Sequence, residues 1–284
     1  MNFDEQFYRL IDLAFLEDVG DGDHSTIACI QTEVKGKAAL LIKQDGILAG
    51  VEVAEKIFQY KDANCIFRKV KSDGEIIKKG EVAFEVEATV HSLLQCERLV
   101  LNCMQRMSGI ATLTKQYCNQ LIGTKTQLLD TRKTTPNFRL FEKEAVLIGG
   151  GTNHRFGLFD MIMLKDNHID FCGSIEKAIE KVHDYILKNH LNLKIEIEAR
   201  NLADVKKIIE IGKNKISRIM LDNFNPEQIV EALKLIGKDF ETEASGGIIL
   251  ENIKSYAATG VNFISVGALI HQAKSLDMSL KATQ

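Results

Sequence analysis

The sequence predicts an α/β protein whose later part is a parallel sheet closing as a barrel. Three observations lead there. From about residue 126 onward, short apolar runs alternate with capped amphipathic helices, which is the pattern of repeated βα units. Six such runs occur, enough for a barrel to be the natural closure. Each run is followed by charged, polar or glycine residues, as the C-terminal mouth of a barrel demands. Before residue 113 the pattern is different and mixed.

Taken in order, residues 3–17 carry a helical stripe of Phe3, Phe7, Leu10, Ile11, Ala14 and Phe15. The Gly/Asp-rich stretch 17–26 reads as a turn-rich loop, because the ligand order of an EF-hand and its distal Glu are missing. Strands follow at 36–43, 46–53, 65–70 and 82–88, punctuated by Gly46, Gly50, Gly74 and Gly80. A helix over 92–107 repeats Leu93, Cys96, Val100, Cys103 and Met107 at spacings of three and four and stops at Ser108-Gly109. Arg98 and Arg106 lie off that stripe, as ordinary surface arginines do.

The barrel strands are expected near 126–130, 160–164, 193–198, 217–221, 239–243 and 262–266. Between them, Ser174 caps a helix over 175–189, and another follows Asn201 and closes at Gly212. Asn225 and Pro226 open a third that ends before Gly237, and a fourth spans 251–259.

The strand ends carry the chemistry. The first run leads to Thr131, Arg132 and Lys133, the second to Lys165, the third ends at Glu198 and the fourth at Asp222. The fifth leads into Ser245-Gly246-Gly247, opening a helix, and the sixth into Val266-Gly267-Ala268. Those two glycine-bearing ends form a phosphate cradle of backbone N–H groups and a helix N-terminus. Glu198 and Asp222, set among apolar neighbours, suit a magnesium ion or ribose hydroxyls. Between Leu128 and His168 lie Arg132, Lys133, Arg139, Arg155 and Lys165, interleaved with Thr131, Thr134, Thr135, His154 and a triple glycine at 149–151. Two like charges ~4 Å apart repel by roughly 4 kcal/mol at an effective dielectric of about 20, so such a cluster persists best facing an anion. A P-loop is absent, which weighs against an ordinary NTPase.

Composition narrows the partners. With 36 Lys+Arg against 39 Asp+Glu the net charge is −3, so the positive charge is focused rather than spread, pointing to a small anion and away from nucleic acid. Six cysteines without CxxC or metal-finger spacing read as thiols in a reducing compartment. The amphipathic, acidic MNFDEQFYRL is no signal peptide, and no apolar run approaches a membrane span. A cytoplasmic protein is expected.

The ordered motifs DTRKTTP (130–136), GGGTNHRFGLFD (149–160), KDNHI (165–169), IEIE (195–198), LDNF (221–224), EASGGI (243–248) and ISVGALIH (264–271) resemble quinolinate phosphoribosyltransferase along nearly the whole chain. The resemblance implies a mixed α/β N-terminal domain (1–112, joined by the tail 270–284) on an incomplete, open barrel (113–269). It implies transfer from phosphoribosyl pyrophosphate to quinolinate with decarboxylation, magnesium as cofactor, and homodimers or hexamers. Arg106 would reach into the partner subunit's site. Arg106, Arg132, His154 and Arg155 would grip the two pyridine carboxylates, with Lys133 and Lys165 by the ring and the pyrophosphate. Glu198 and Asp222 would hold ribose hydroxyls and magnesium. Ser245, Gly246, Gly247, Val266, Gly267 and Ala268 would take the 5′-phosphate, with His271 nearby. Arg200, and Asn137-Phe138 in place of Gly-Leu, depart from the family's pattern. The alternatives are a related transferase acting on another pyridine or pyrimidine carboxylate, and a non-catalytic metabolite-binding relative.

Overall fold

The computed structural model describes residues 3–283. Helices α1 (Phe3–Asp18) and α2 (His24–Cys29) lead to β1 (Lys35–Ile42), β2 (Gly46–Ile47), α3 (Val51–Lys61), β3 (Ile66–Lys69), β4 (Ile76–Ile77), β5 (Val82–Thr89) and α4 (Val90–Gln120). Then come β6 (Gln127–Leu129), α5 (Arg139–Ile148), β7 (Ile162–Leu164), α6 (Asp166–Cys172), α7 (Ile175–Lys188), β8 (Ile195–Ala199) and α8 (Leu202–Gly212). The chain closes with β9 (Arg218–Asp222), α9 (Pro226–Ile236), β10 (Glu241–Ser245), α10 (Ile253–Ala257), β11 (Phe263–Ser265), α11 (Ala268–His271) and β12 (Met278–Thr283).

Two compact units result. The first comprises Met1–Lys115, Thr134–Gly150 and Leu269–Gln284. Its main sheet runs β12-β1-β5-β3, antiparallel throughout. The C-terminal strand pairs with β1 from Lys37↔Thr283 to Ile42↔Met278. Leu40, Ile42, Phe58 and Phe84 are fully buried at its core.

Three expectations for this unit give way. The strand foreseen over 46–53 shrinks to Gly46–Ile47, and α3 begins at Val51. Gly50 precedes it at φ +97, and a Cβ there would lie 3.3 Å from the Cα of Met104. The buried set Val51, Val53, Ala54, Ile57 and Phe58 has helical spacing, which the alternating start of the run concealed. Helix α4 does not stop at Ser108-Gly109 but continues to Gln120. Gly109 serves a close approach instead of a stop, because a Cβ there would sit 2.1 Å from the carbonyl oxygen of Lys274. Finally, α5, expected within the barrel, groups with the first unit. It buries Phe141, Ala145 and Val146, and Phe141 meets Phe7 edge-to-face with centroids 5.6 Å apart.

The second unit comprises Gln116–Lys133 and Gly151–Ala268. Its six strands are parallel in the order β6-β11-β10-β9-β8-β7, with a further bridge between Leu129 and Thr152. Among the described residues no pairing joins β6 to β7, so the barrel is open. The foreseen caps are present, Ser174 accepting from Lys177 N and Asn225 from Gln228 N, and Asn201 caps α8 by accepting from Ala203 N and Asp204 N. The Gly-Leu departure also has a local reason. Asn137 sits at φ +62, a left-handed position that Asn tolerates better than most residues after Gly.

Candidate active site

The period of two along a strand sorts side chains into layers. In β8, Glu196 and Glu198 share a face; in β9, Arg218 and Asp222 do; in β10, Glu243 and Ser245 do. Register pairs Glu196 with Arg218 and Ser245 with Asp222, so the two layers are stacked across three strands.

The layer at the strand ends gathers the charged groups Lys165, Glu198 and Asp222. Lys165 Nζ lies 3.5 Å from Glu198 Oε2. Burial pushes the Glu198 carboxyl above its usual range, Lys165 draws it back, and Asp222 and Asp166 raise it further. Burial likewise raises Asp222, against the pull of Lys165 and Lys133. Lys133, Lys165, Glu198 and Asp222 therefore act on one another across one small region. Asn223 Nδ2 donates to Asp222 Oδ2 at 2.6 Å, fixing that carboxylate.

The cation cluster sits beside it. Arg132 and Lys133 are exposed, and the Lys133 backbone N–H donates to Thr131 Oγ1 at 3.1 Å. Arg155 is half-buried, its Nη1 donating to Met161 O at 3.3 Å. Burial and then the neighbouring Arg132 push its pKa down. Two guanidiniums that repel each other in this way are suited to a planar dicarboxylate, each gripping by a fork.

His154 is not on that surface. Only 8% exposed, it points Nε2 at Glu196 Oε2 (3.0 Å) and Glu243 Oε2 (3.4 Å). Its Nδ1 accepts the backbone N–H of Arg155 at 2.6 Å, and its own N–H donates to buried Asp130 Oδ1 at 2.8 Å. Burial pushes its pKa down, but Glu196 and Glu243 push harder, to about 9. That tendency to bind a second proton conflicts with Nδ1 acting as an acceptor. The main-chain contact is specific, so we read the ring as protonated at Nε2 only. His154, expected at a substrate carboxylate, is thus buried with Nε2 turned toward Glu196 and Glu243. His154, Glu196 and Glu243 have a donor set suited to a metal, within 4.8 Å of one another. The Arg218 guanidinium, 2.9 Å from Glu243 Oε2, already supplies a cation there.

The glycine-bearing strand ends differ from expectation in one respect. Gly246 and Gly247 take φ +94 and +62, and α10 starts only at Ile253 and runs five residues. The strand end thus runs into a turn rather than directly into a helix N-terminus. Gly246 is held against the end of β9: a Cβ there would lie 2.2 Å from Asn223 Oδ1, and Asn223 N donates to Ser245 O at 2.8 Å. Val266 N donates to Leu129 O at 3.0 Å, which sets Gly267 and Ala268 at the neighbouring strand end.

Arg106 and His271 belong to the first unit. His271 is exposed at the end of α11. Arg106 is committed within its own chain: Nε and Nη2 donate to Glu142 Oε1, Nη1 to Ala273 O and Nη2 to Ile270 O. These bonds hold Arg106 within its own chain, where the resemblance implied a reach into a partner's site. Sequence reasoning also passed over Asp130, Glu142, Glu196, Arg218 and Glu243. The signal for Glu196 was present, since IEIEA puts it on the face of Glu198.

Comparison with known proteins agrees with this geometry. Residues 23–108 match the model of the quinolinate phosphoribosyl transferase N-terminal domain and residues 110–281 that of its C-terminal domain. The chain is 44% identical, over 96% of its length and 81% of the relative's, to quinolinate phosphoribosyltransferase [decarboxylating] 1b of Nicotiana tabacum. It is 42% identical to the probable nicotinate-nucleotide pyrophosphorylase [carboxylating] of Bacillus subtilis, covering 98% of this chain and 94% of that one. The crystal structure of NadC from Streptococcus pyogenes superposes with a TM-score of 0.90 at 39% identity over 98% of both chains. With both domain models matched in order across an open parallel barrel whose mouth gathers cations and carboxylates, the chain belongs to the quinolinate phosphoribosyltransferase family.

Proposed function

We propose that this chain transfers the phosphoribosyl group of phosphoribosyl pyrophosphate to quinolinate, with loss of carbon dioxide, giving nicotinate mononucleotide and pyrophosphate in NAD biosynthesis. The observation that carries the reading is the Arg132–Arg155 pair beside the Lys165–Glu198–Asp222 group at one barrel mouth. A dianionic base and a phosphorylated sugar need both.

The quinolinate nitrogen lone pair attacks C1 of the ribose as the C1–O bond breaks and pyrophosphate leaves with the electron pair. Charge develops on the sugar as an oxocarbenium-like state, and held geometry supplies most of the acceleration. Arg132 and Arg155 orient the ring by its carboxylates. Lys133 and Lys165 carry positive charge toward the leaving group. Glu198 and Asp222 accept hydrogen bonds from the ribose hydroxyls. The new ring cation then draws electrons: the C2 carboxylate leaves as carbon dioxide, its electron pair stays on C2, and C2 takes a proton. Ser245, Gly246, Gly247, Val266, Gly267 and Ala268 take the 5′-phosphate through the turn N–H groups.

The donor chemistry fits magnesium: Glu198 and Asp222 are hard oxygen ligands, and two carboxylates leave positions for substrate oxygens. The ion would neutralise charge on the pyrophosphate. Two copies or multiples of two are the working assembly in this reading. In this reading Arg106 on α4 is the cation lent across such an interface, as the resemblance implies. His271 lies near the phosphate end only by resemblance. The compartment is taken as reducing and cytoplasmic, on the cysteine pattern; no helix of the described residues is long and apolar enough to cross a membrane.

Calorimetry with quinolinate and with nicotinate tests the double grip. Quinolinate should bind at least about tenfold more tightly, one fork being worth more than about 1.4 kcal/mol. Equal affinity would favour the alternative of a different acid.

A further inference from the structure

Beneath the barrel mouth lies a cluster that the transfer reaction as described does not use. Glu196, Arg218 and Glu243 sit on adjacent strands β8, β9 and β10, with Glu196 and Arg218 in direct register. Both carboxylates are wholly buried. Arg218 Nη1 donates to Glu243 Oε2 at 2.9 Å and lies 3.9 Å from Glu196 Oε2. The Arg218 guanidinium also stacks 3.9 Å from the centroid of Phe263 on β11, which fixes its plane. Three strands and a fourth element thus lock one ion group into the sheet interior.

Burying charge in a barrel costs more than an apolar filling of the same shape, so a retained cluster of this kind invites a functional reason. Here the group reaches upward. His154 Nε2 lies 3.0 Å from Glu196 and 3.4 Å from Glu243, while Nδ1 accepts the Arg155 N–H at 2.6 Å. The backbone of His154 is pinned in turn to Asp130, the residue from which Thr131 and Arg132 follow. By contrast, the Arg155 guanidinium itself is held lightly, by Met161 O at 3.3 Å and by the soft Met163 Sδ at 3.5 Å. Its aim depends on where its main chain is placed, and the His154 ring places it.

We propose that Glu196, Glu243 and Arg218 are positioning residues for substrate recognition: they hold the His154 ring, which holds the Arg155 main chain and so sets the angle at which Arg155 meets the base's carboxylate. The proposal rests on the reading of Arg155 as a carboxylate grip. A displacement of about 1 Å at such a site is enough to cost on the order of a hundredfold. The group therefore acts on the acid substrate and not on the phosphorylated sugar.

The test is a double-mutant cycle on the full-length protein, read in two affinities and in melting temperature. Glu196→Gln keeps the shape and removes the charge. It should raise the KM for quinolinate about tenfold or more and leave the KM for phosphoribosyl pyrophosphate within about twofold. In an Arg155→Ala background the same change should add nothing further to the quinolinate loss, because the residue through which it acts is gone. Additive losses, or equal losses for both substrates, overturn the proposal and make the cluster a general stabiliser. Should Glu196→Gln not fold, Arg218→Lys keeps the charge and loses the planar fork; a quinolinate-selective defect supports the proposal, and unchanged kinetics overturn it. A stoichiometric divalent metal in the purified protein that disappears in Glu243→Gln also overturns it. Failure of the underlying reaction is distinguishable: wild-type protein would then turn over no quinolinate at all.

Discussion

Arg106 and Glu142 form a two-point ion pair inside the first unit, with Nε and Nη2 at 3.0 and 2.8 Å from Glu142 Oε1. Glu142 is fully buried and also accepts from the Thr135 N–H (2.8 Å) and hydroxyl (2.9 Å). The pair thus anchors Thr135 within the first unit. Removing the guanidinium leaves a buried carboxylate without its charge partner. Arg106→Ala should cost roughly 3–5 kcal/mol in urea unfolding. Arg98→Ala, at an exposed position, should change stability by less than about 0.5 kcal/mol. A neutral Arg106→Ala would mean that the pair contributes nothing to the fold.

The proposed carboxylate grip depends on guanidinium shape as well as charge. Arg155→Lys and Arg132→Lys keep the charge and lose the fork. Each should raise the quinolinate KM by about ten- to a hundredfold, the equivalent of roughly 1.4–2.7 kcal/mol. Steady-state kinetics with the sugar substrate saturating is the check. Wild-type KM in either variant would remove the bidentate contact from the account.

The pH dependence follows from the two raised carboxylates. Glu198 and Asp222 both titrate above the usual range, chiefly through burial. As pH falls, they should lose charge earlier than ordinary carboxylates, so the acidic limb of kcat/KM should lie above the usual carboxylate range. For stability the sign is opposite to that of a salt-bridged Asp. A carboxyl raised on folding binds protons more readily in the native state, so it costs stability as pH rises from its unfolded pKa through its folded one. Asp222→Asn should then keep or raise the melting temperature at neutral pH while reducing turnover. A lowered melting temperature would contradict this.

Gly246 is the tightest point of the turn proposed to take the 5′-phosphate. At φ +94, with a would-be Cβ 2.2 Å from Asn223 Oδ1, Gly246→Ala must displace the Asp222-Asn223 turn. Binding of phosphoribosyl pyrophosphate should weaken by about tenfold or more while quinolinate binding holds, as read by calorimetry. Equal weakening of both ligands would mean a wider collapse of the mouth.

The barrel was legible because its signals are local. Ser174 and Asn225 each cap where the apolar stripe begins, and each apolar run between the helices becomes a strand of one parallel sheet. What escaped was set by distant packing. Gly109 looks like a helix stop, and only the Lys274 carbonyl makes it a contact point. The run starting at Val51 alternates briefly like a strand, yet its burial is helical against α4. His154 stands next to Arg155 in a basic motif, and no neighbour in sequence tells that its ring turns inward to carboxylates on β8 and β10. Arg106 and Arg98 lie on one helix, and only the folded position of Glu142 separates the internal arginine from the exposed one.

The central claim is most directly tested by counting products. Purified protein is incubated with magnesium, phosphoribosyl pyrophosphate and carboxyl-labelled quinolinate, and released carbon dioxide is counted beside nicotinate mononucleotide. The account predicts equal amounts of both, abolished by Lys165→Ala. Nucleotide formed from another base without carbon dioxide, or no turnover despite tight quinolinate binding, would contradict it.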